Sequence, residues 1–405
     1  MMMNRNLSVN SLDMYHEDLL RGQVDEGVPN ENEAMGKESA DAIHRNDEMR
    51  VLLAVSSLIF VDANLLGNLS TEFFDIRIDR NHPEKIYKAF DAFVTKYNRH
   101  YKDAKEHQLR FNNFVRSYNK VDKLNEQAEK EGYDTRFGIN KFSDWSLDEF
   151  KGSLSQRPPP KTTDIPRLNI TNFFPEANKT RQKRKSSRYP DSFDLRDLKV
   201  NGRYIVGPVK NQGTCACCWG FAVTAVMETV NAVNTGRFTS LSDQEICDCG
   251  TEGTPGCKGE YPYDEGRATV SKKCRLRSTT RVIKPKSIEY VSVDPRRAEH
   301  EIIYILTQWK VPVAVYFQVG ESFKEYNDGV IVIDDCYNAV DWHAGAIVGY
   351  GSQEDRRGRV YDYWIIKNSW DDDWGEDGYV RIKRNIDWCA IEESPVTADM
   401  SSYSG

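Results

Sequence analysis

The first regular pattern in the chain begins near Pro83. Ile86, Phe90, Phe93, Val94, Tyr97 and Tyr101 recur at three- and four-residue steps, which predicts an amphipathic helix. A second helical pattern runs through Leu109, Phe114, Val121 and Leu124 and ends near Gly132. Pro158-Pro159-Pro160 and the basic run 181–185 then predict an extended, exposed connector, the basic run reading equally as a solvated linker or as a processing site. Beyond Tyr189 the character changes. Trp219, Ala222, Val226, Val230 and Val233 form one helical stripe, stopped by Gly236. Residues 311–317, 346–350, 361–366 and 378–382 read as strands instead. A helical portion followed by a β portion predicts an α+β fold with a cleft between two lobes. No internal repeat is evident.

The chain has 405 residues, enough for two or three domains. Hydrophobic residues make up 39% and charged residues 29%, so a core can form, and collagen-like or disordered chains are excluded. A net charge of −7 gives no basic footprint, which argues against nucleic acid as the main partner. No apolar run approaches the roughly 20 residues of a spanning helix, so no stable membrane span is expected.

The longest apolar stretch, 51–61, follows Met49-Arg50 and is followed by Asp62-Ala63. Segment 49–63 therefore reads as a secretory signal, with a signal-anchor as the alternative. Residues 1–48 read as a polar, disordered extension, with Met49 as the expected biological start. Asn68, Asn169 and Asn178 fit the glycosylation acceptor pattern, which agrees with the secretory route. All nine cysteines lie between Cys215 and Cys389, suiting one disulfide-bonded domain behind a cysteine-free leader. Their odd number leaves at least one thiol unpaired.

That thiol is sought in the segment from Asn211 to Gly220, at the start of the Trp219 stripe. A cysteine at a helix N-terminus feels the positive end of the macrodipole and unpaired amides, which favour thiolate. His343 opens a β run in Trp342-His343-Ala344-Gly345, and Asn368-Ser369-Trp370 comes later. A thiol, an imidazole and an amide in that order make a nucleophile, a base and an orienting group. Taken singly, each residue reads more readily as structural.

Together these motifs resemble the papain family of cysteine proteases, closest in the leader to the cathepsin L-like group. Glu106, Arg110, Phe114, Val121 and Asn125 follow the family's interspersed helical motif, with Ser117 where asparagine is usual. Gly138, Asn140, Phe142 and Asp144 match its second leader motif. The resemblance implies a papain-like two-lobed fold at 189–405, a helical inhibitory prodomain at 83–152 and a linker with the basic site at 153–188. It implies Cys218 as nucleophile, His343 as base and acid, Asn368 as the group holding the imidazole, and Gln212 as oxyanion donor. Trp370 would shield the His343–Asn368 bond. Gly259, Glu260, Tyr316, Trp342 and Ala344 would line the substrate cleft.

The resemblance further implies the pairs Cys215–Cys257, Cys249–Cys274 and Cys336–Cys389. Cys217 and Cys247 lie outside the family's usual set and are expected to bond each other, two buried thiols being the alternative. Zinc at Cys215-x-x-Cys218 is disfavoured because no second pair of suitable spacing follows. No metal or cofactor is expected. The chain is shorter than related proteases between Cys257 and Tyr261, with Glu260 where a second glycine is usual, so specificity is altered there. The expected function is a cysteine endopeptidase made as a zymogen and acting in an acidic compartment, lysosomal or secreted. It would act as a monomer, on peptides or proteins, with its own prodomain as inhibitor. The alternative is a catalytically weak or inactive scaffold acting as a binding protein.

Overall fold

The structure is a computed structural model that describes residues 83–155, 158–159, 166–167, 189–249, 290–333 and 335–400. The signal-like segment, the three acceptor asparagines and the basic run lie outside the described residues. So do Gly259, Glu260, Cys257 and Cys274, together with the side chain of Cys249.

The leader forms α1 (Pro83–Lys96), α2 (Ala104–Glu131), β1 (Arg136–Phe137) and α3 (Leu147–Ser153). By Cα packing the chain divides into two compact units between Asn112 and Asn113. In the first unit, Tyr97 and Tyr101 belong to the apolar stripe but not to the helix. Asn98 takes a left-handed φ of 48°, and Tyr101 packs back on Phe90 at 6.2 Å. Tyr87 stacks on Phe111 at 4.8 Å. At the far end of α2, Gly132 at φ 74° ends the helix where the sequence places its stop.

In the second unit the chain continues as β2 (Phe193–Asp194), β3 (Lys199–Val200), β4 (Arg203–Tyr204), α4 (Cys218–Thr235) and α5 (Asp243–Cys249). The C-terminal half holds β5 (Tyr290–Ser292), α6 (Ala298–Tyr304), β6 (Val313–Val319), α7 (Glu321–Lys324), β7 (Tyr326–Asp328) and β8 (Val330–Ile331). It closes with β9 (Asp341–Glu354), β10 (Val360–Lys367), β11 (Tyr379–Lys383) and β12 (Val396–Ala398). Strands order as β5-β12-β6-β9-β10-β11-β8, with β2 added on β9. The fold is α+β.

The four predicted strands appear as β6, β9, β10 and β11. The half that reads as β also carries α6, which continues as a π-helix over Ile305–Trp309. Burial of Ile302, Ile305, Leu306 and Trp309 against the sheet stabilises this apolar run as helix. Trp364, Trp370, Trp374 and Trp388 are fully buried in the same core. Helix α4 lies against β9 and β6, and Gly236 caps it at φ 69°. The nucleophile candidate thus heads a helix whose partner strand carries the imidazole. On the other side, β1 of the leader pairs with β7, Phe137 opposite Tyr326.

Candidate active site

Cys218 is the first residue of α4 and the free cysteine among the described residues; it is fully buried. Its sulfur lies within reach of the backbone amides of Ala344 and Trp219, and of Ser155 from the leader. Ala344 follows His343 on β9, so the thiol sits beside the strand position that bears the imidazole. Ala222, Ala344 and Tyr316 pack in the same small apolar cluster.

His343 is held by an amide and packed among aromatic rings. Its Nε2 lies 2.7 Å from Asn368 Oδ1. The amide of Ser369 also donates to that oxygen at 2.8 Å, which fixes Oδ1 as the acceptor side of Asn368. The imidazole hydrogen therefore resides on Nε2, and the lone pair is on Nδ1, which is buried without a hydrogen-bond partner. Trp370 covers the ring at 4.6 Å, and Phe317 meets it edge-on at 5.6 Å. Trp370 is itself covered by two leader aromatics, Phe142 at 5.1 Å and Phe150 at 5.5 Å. His300 also follows Cys218 in the sequence, but it lies against Tyr189 at 5.7 Å.

Gln212 is placed by a crossing of two loops. Its amide donates to Ser369 O at 2.8 Å, and Asp371 N donates to Lys210 O at 3.0 Å. Ser369 Oγ donates to Gln212 Oε1 at 2.5 Å, which turns Nε2 away from that contact. One Nε2 hydrogen goes to Cys215 O at 2.7 Å and the other to Ser153 O, also at 2.7 Å. Ser369 is a residue to which the sequence reading assigned no role, although it sits inside the Asn368-Ser369-Trp370 motif.

The leader therefore runs through the site. Helix α3 is capped by Ser146, whose hydroxyl accepts from Glu149 N while the Glu149 carboxylate accepts from Ser146 N. The Ser146-x-x-Glu149 capping box is the sequence signal for this short helix, which carries too few residues to show a helical period. The helix delivers Ser153 to Gln212 and fully buries Leu154. Ser155 then bridges Trp342 in antiparallel fashion, donating at 2.8 Å and accepting at 3.3 Å. Residues 153–155, where the linker is expected to begin, meet Gln212 through Ser153 and Trp342 through Ser155.

Burial decides the charge state here. Removal of water pushes the Cys218 thiol up to about 12, against the opposing pull of the surrounding amides. It also pushes His343 down to about 4, although the Asn368 hydrogen bond acts the other way. The helix N-terminus predicts a thiolate, whereas burial in the covered site favours the neutral thiol and the neutral imidazole. Desolvation outweighs the helix dipole once the leader lies on top.

Cys217 and Cys247 form a disulfide beneath the first turn of α4, with Cα atoms 6.0 Å apart. Cys336 and Cys389 form another. Cys215 is also disulfide-bonded. The sulfurs of Cys215, Cys217 and Cys247 lie within 4.8 Å of one another, but a bonded sulfur has no thiolate to offer a metal.

The described residues thus hold a buried thiol at a helix head, an imidazole held by an amide and a second amide bound to the leader backbone. Residues 189–271 and 259–399 match the papain family cysteine protease profile. Residues 90–150 match the cathepsin propeptide inhibitor domain. The chain is 30% identical over 362 residues to papaya proteinase 4 of Carica papaya, covering 83% of this chain and 94% of that one. It is 29% identical over 330 residues to pro-cathepsin H of Mus musculus, covering 77% and 89%. Among solved structures it resembles digestive procathepsin L2 from Tenebrio molitor larval midgut, with TM-score 0.60 and 27% identity. That match covers 77% of this chain and 99% of the other. The chain belongs to the papain family of cysteine proteases, and it is a cysteine endopeptidase carried as a zymogen with an intramolecular inhibitory propeptide. No helix among the described residues is long and apolar enough to cross a membrane.

Proposed function

We propose that Cys218 is the nucleophile, His343 the proton carrier, Asn368 its positioning partner and Gln212 an oxyanion donor. The observation that carries this reading is the 2.7 Å His343 Nε2 to Asn368 Oδ1 contact, which leaves the Nδ1 lone pair on the unpartnered side of the ring. When the prosegment leaves, water returns and the desolvation that keeps both groups neutral is relieved. His343 Nδ1 then takes the thiol proton, and the thiolate attacks the scissile carbonyl carbon. The oxyanion accepts the Gln212 hydrogen that now goes to Ser153 O, together with an amide at the head of α4. His343 returns the proton to the departing amine. Water, deprotonated by the same nitrogen, attacks the thioester; collapse of that adduct expels the Cys218 sulfur and frees the acid product.

Trp370 excludes water from the His343–Asn368 bond. Trp342, Ala344 and Tyr316 line the substrate path. The enzyme works in an acidic compartment, lysosomal or secreted, because acidity favours release of a prosegment that holds an imidazole neutral.

The test is labelling of acid-treated protein with an irreversible thiol-directed epoxide, followed by peptide mapping. Modification at Cys218, lost in Cys218→Ala, is expected. A folded protein freed of its prosegment that stays unlabelled would place the chain among inactive scaffolds.

A further inference from the structure

Lys324, at the end of α7, is 8% exposed, and no step of the chemistry above uses it. Among the described residues its ammonium meets three groups. Glu325 Oε1 lies at 3.2 Å, Ser117 Oγ at 3.1 Å and the carbonyl of Phe142 at 3.4 Å. Glu325 is fully buried, and its carboxylate oxygens accept no hydrogen bond among the described residues. Ser117 and Phe142 both lie within the matched propeptide domain. Two of the three neighbours of this buried cation are therefore supplied by the segment that must later leave.

The backbone around Lys324 is clasped by the same segment. Its carbonyl accepts from Asn140 Nδ2 at 2.7 Å, and Gly138 N donates to Glu325 O at 2.8 Å. Those contacts would serve any residue at position 324. The ammonium contacts would not, because a buried charge left short of a partner costs several times more than a neutral amide contact contributes. Position 117 is also where the leader departs from the interspersed helical motif. A small hydroxyl stands there, 3% exposed.

We propose that Lys324 is a recognition residue by which this peptidase selects its prosegment. A prosegment is retained only if it presents a hydroxyl at the position of Ser117, alongside the Phe142 carbonyl, to the buried ammonium. The proposal rests on the inhibitory role of the propeptide and adds the contact that makes the inhibitor specific to this enzyme. A leader with an aliphatic residue at 117 would dock by its backbone yet leave the cation one acceptor short, and so would be held loosely.

A double-mutant cycle on the full-length proenzyme tests this, reading the rate of Cys218 labelling by a thiol-directed epoxide at neutral pH. Ser117→Ala is near-isosteric and removes one acceptor from a charged donor, so labelling is expected to speed up roughly 10- to 100-fold. In the neutral background Lys324→Met/Glu325→Gln, the same change is expected to alter the rate by less than about twofold. Lys324→Met/Glu325→Met supplies an independent neutral background should the first fold poorly. Processed enzymes from wild type and Ser117→Ala lack residue 117 and should share one kcat/KM. Equal acceleration in charged and neutral backgrounds, or no acceleration in the charged one, overturns the proposal. Wild-type proenzyme that labels as fast as processed enzyme would overturn the inhibitory reading itself.

Discussion

Gln212 holds Ser153 with the hydrogen proposed for a substrate oxyanion. Nε2 donates at 2.7 Å to the Ser153 carbonyl, while its second hydrogen is committed to Cys215 O. The prosegment thus occupies the site as an acyl group would, with a carbonyl oxygen on the donor. Its backbone direction is set by α3 and the Ser155–Trp342 bridge.

Replacing Gln212 by alanine removes that donor from the transition state and from the zymogen alike. In processed enzyme kcat is expected to fall on the order of 10²–10³, with KM changed far less. Steady-state kinetics on a fluorogenic peptide checks this. A loss confined to KM would mean that Gln212 binds substrate without stabilising the oxyanion.

Asn368→Ala should lower kcat/KM about tenfold or more, because the buried Nε2–H of His343 loses its acceptor. The acid limb of the pH profile should move as well, since that hydrogen bond raises the imidazole pKa. An unchanged profile with reduced stability would assign Asn368 a purely structural part.

Acidification should loosen the prosegment, and the sign follows from the buried pair. His343 lies near 4 in the covered site against an ordinary 6.5. Its contribution to docking is present above the ordinary value and is lost as pH falls toward 4. Cys218 is raised from 9.0 to about 12, so its contribution is lost as pH rises through that interval. Docking is expected to be tightest between those windows. Hydrogen exchange at residues 150–155, corrected for intrinsic rates, should quicken by up to about tenfold per pH unit below the histidine range. A flat profile from pH 7 to 4 would rule out control by the imidazole.

The Cys217–Cys247 bridge closes a 30-residue separation directly behind the nucleophile. A Cβ at Gly220 would approach Cys217 Sγ at 2.8 Å and Cys247 Sγ at 3.1 Å, so the first turn of α4 rests on the bridge. Changing both cysteines to serine should cost about 3 kcal/mol in urea unfolding. Non-reducing peptide maps must show the bridge in wild type; two alkylatable thiols there would remove it.

Helix α4 was legible because its stripe, Trp219 to Val233, and its terminator Gly236 are both local features. The strands carrying His343 and Asn368 were legible as apolar runs, and the motifs around them were informative because they occur in family order. Helix α6 was not legible from an apolar run, because strand and buried helix share that signature and only the neighbouring sheet decides between them. Tyr97 and Tyr101 kept the helical spacing while the backbone turned at Asn98.

By itself the sequence determined the chemical inventory: one leader with two motifs, a thiol at a helix head, an imidazole, an amide and the order in which they come. These depend on residue type and spacing, which a chain states directly. Only the tertiary structure decided that Ser153 meets Gln212 and Ser155 meets Trp342, that Ser369 turns Gln212, and that Ser117 meets Lys324. It also decided that burial works against the thiolate that the helix head favours. Each of those depends on which distant surfaces exclude water from one another, and desolvation is a property of the packed assembly that no local window of sequence carries.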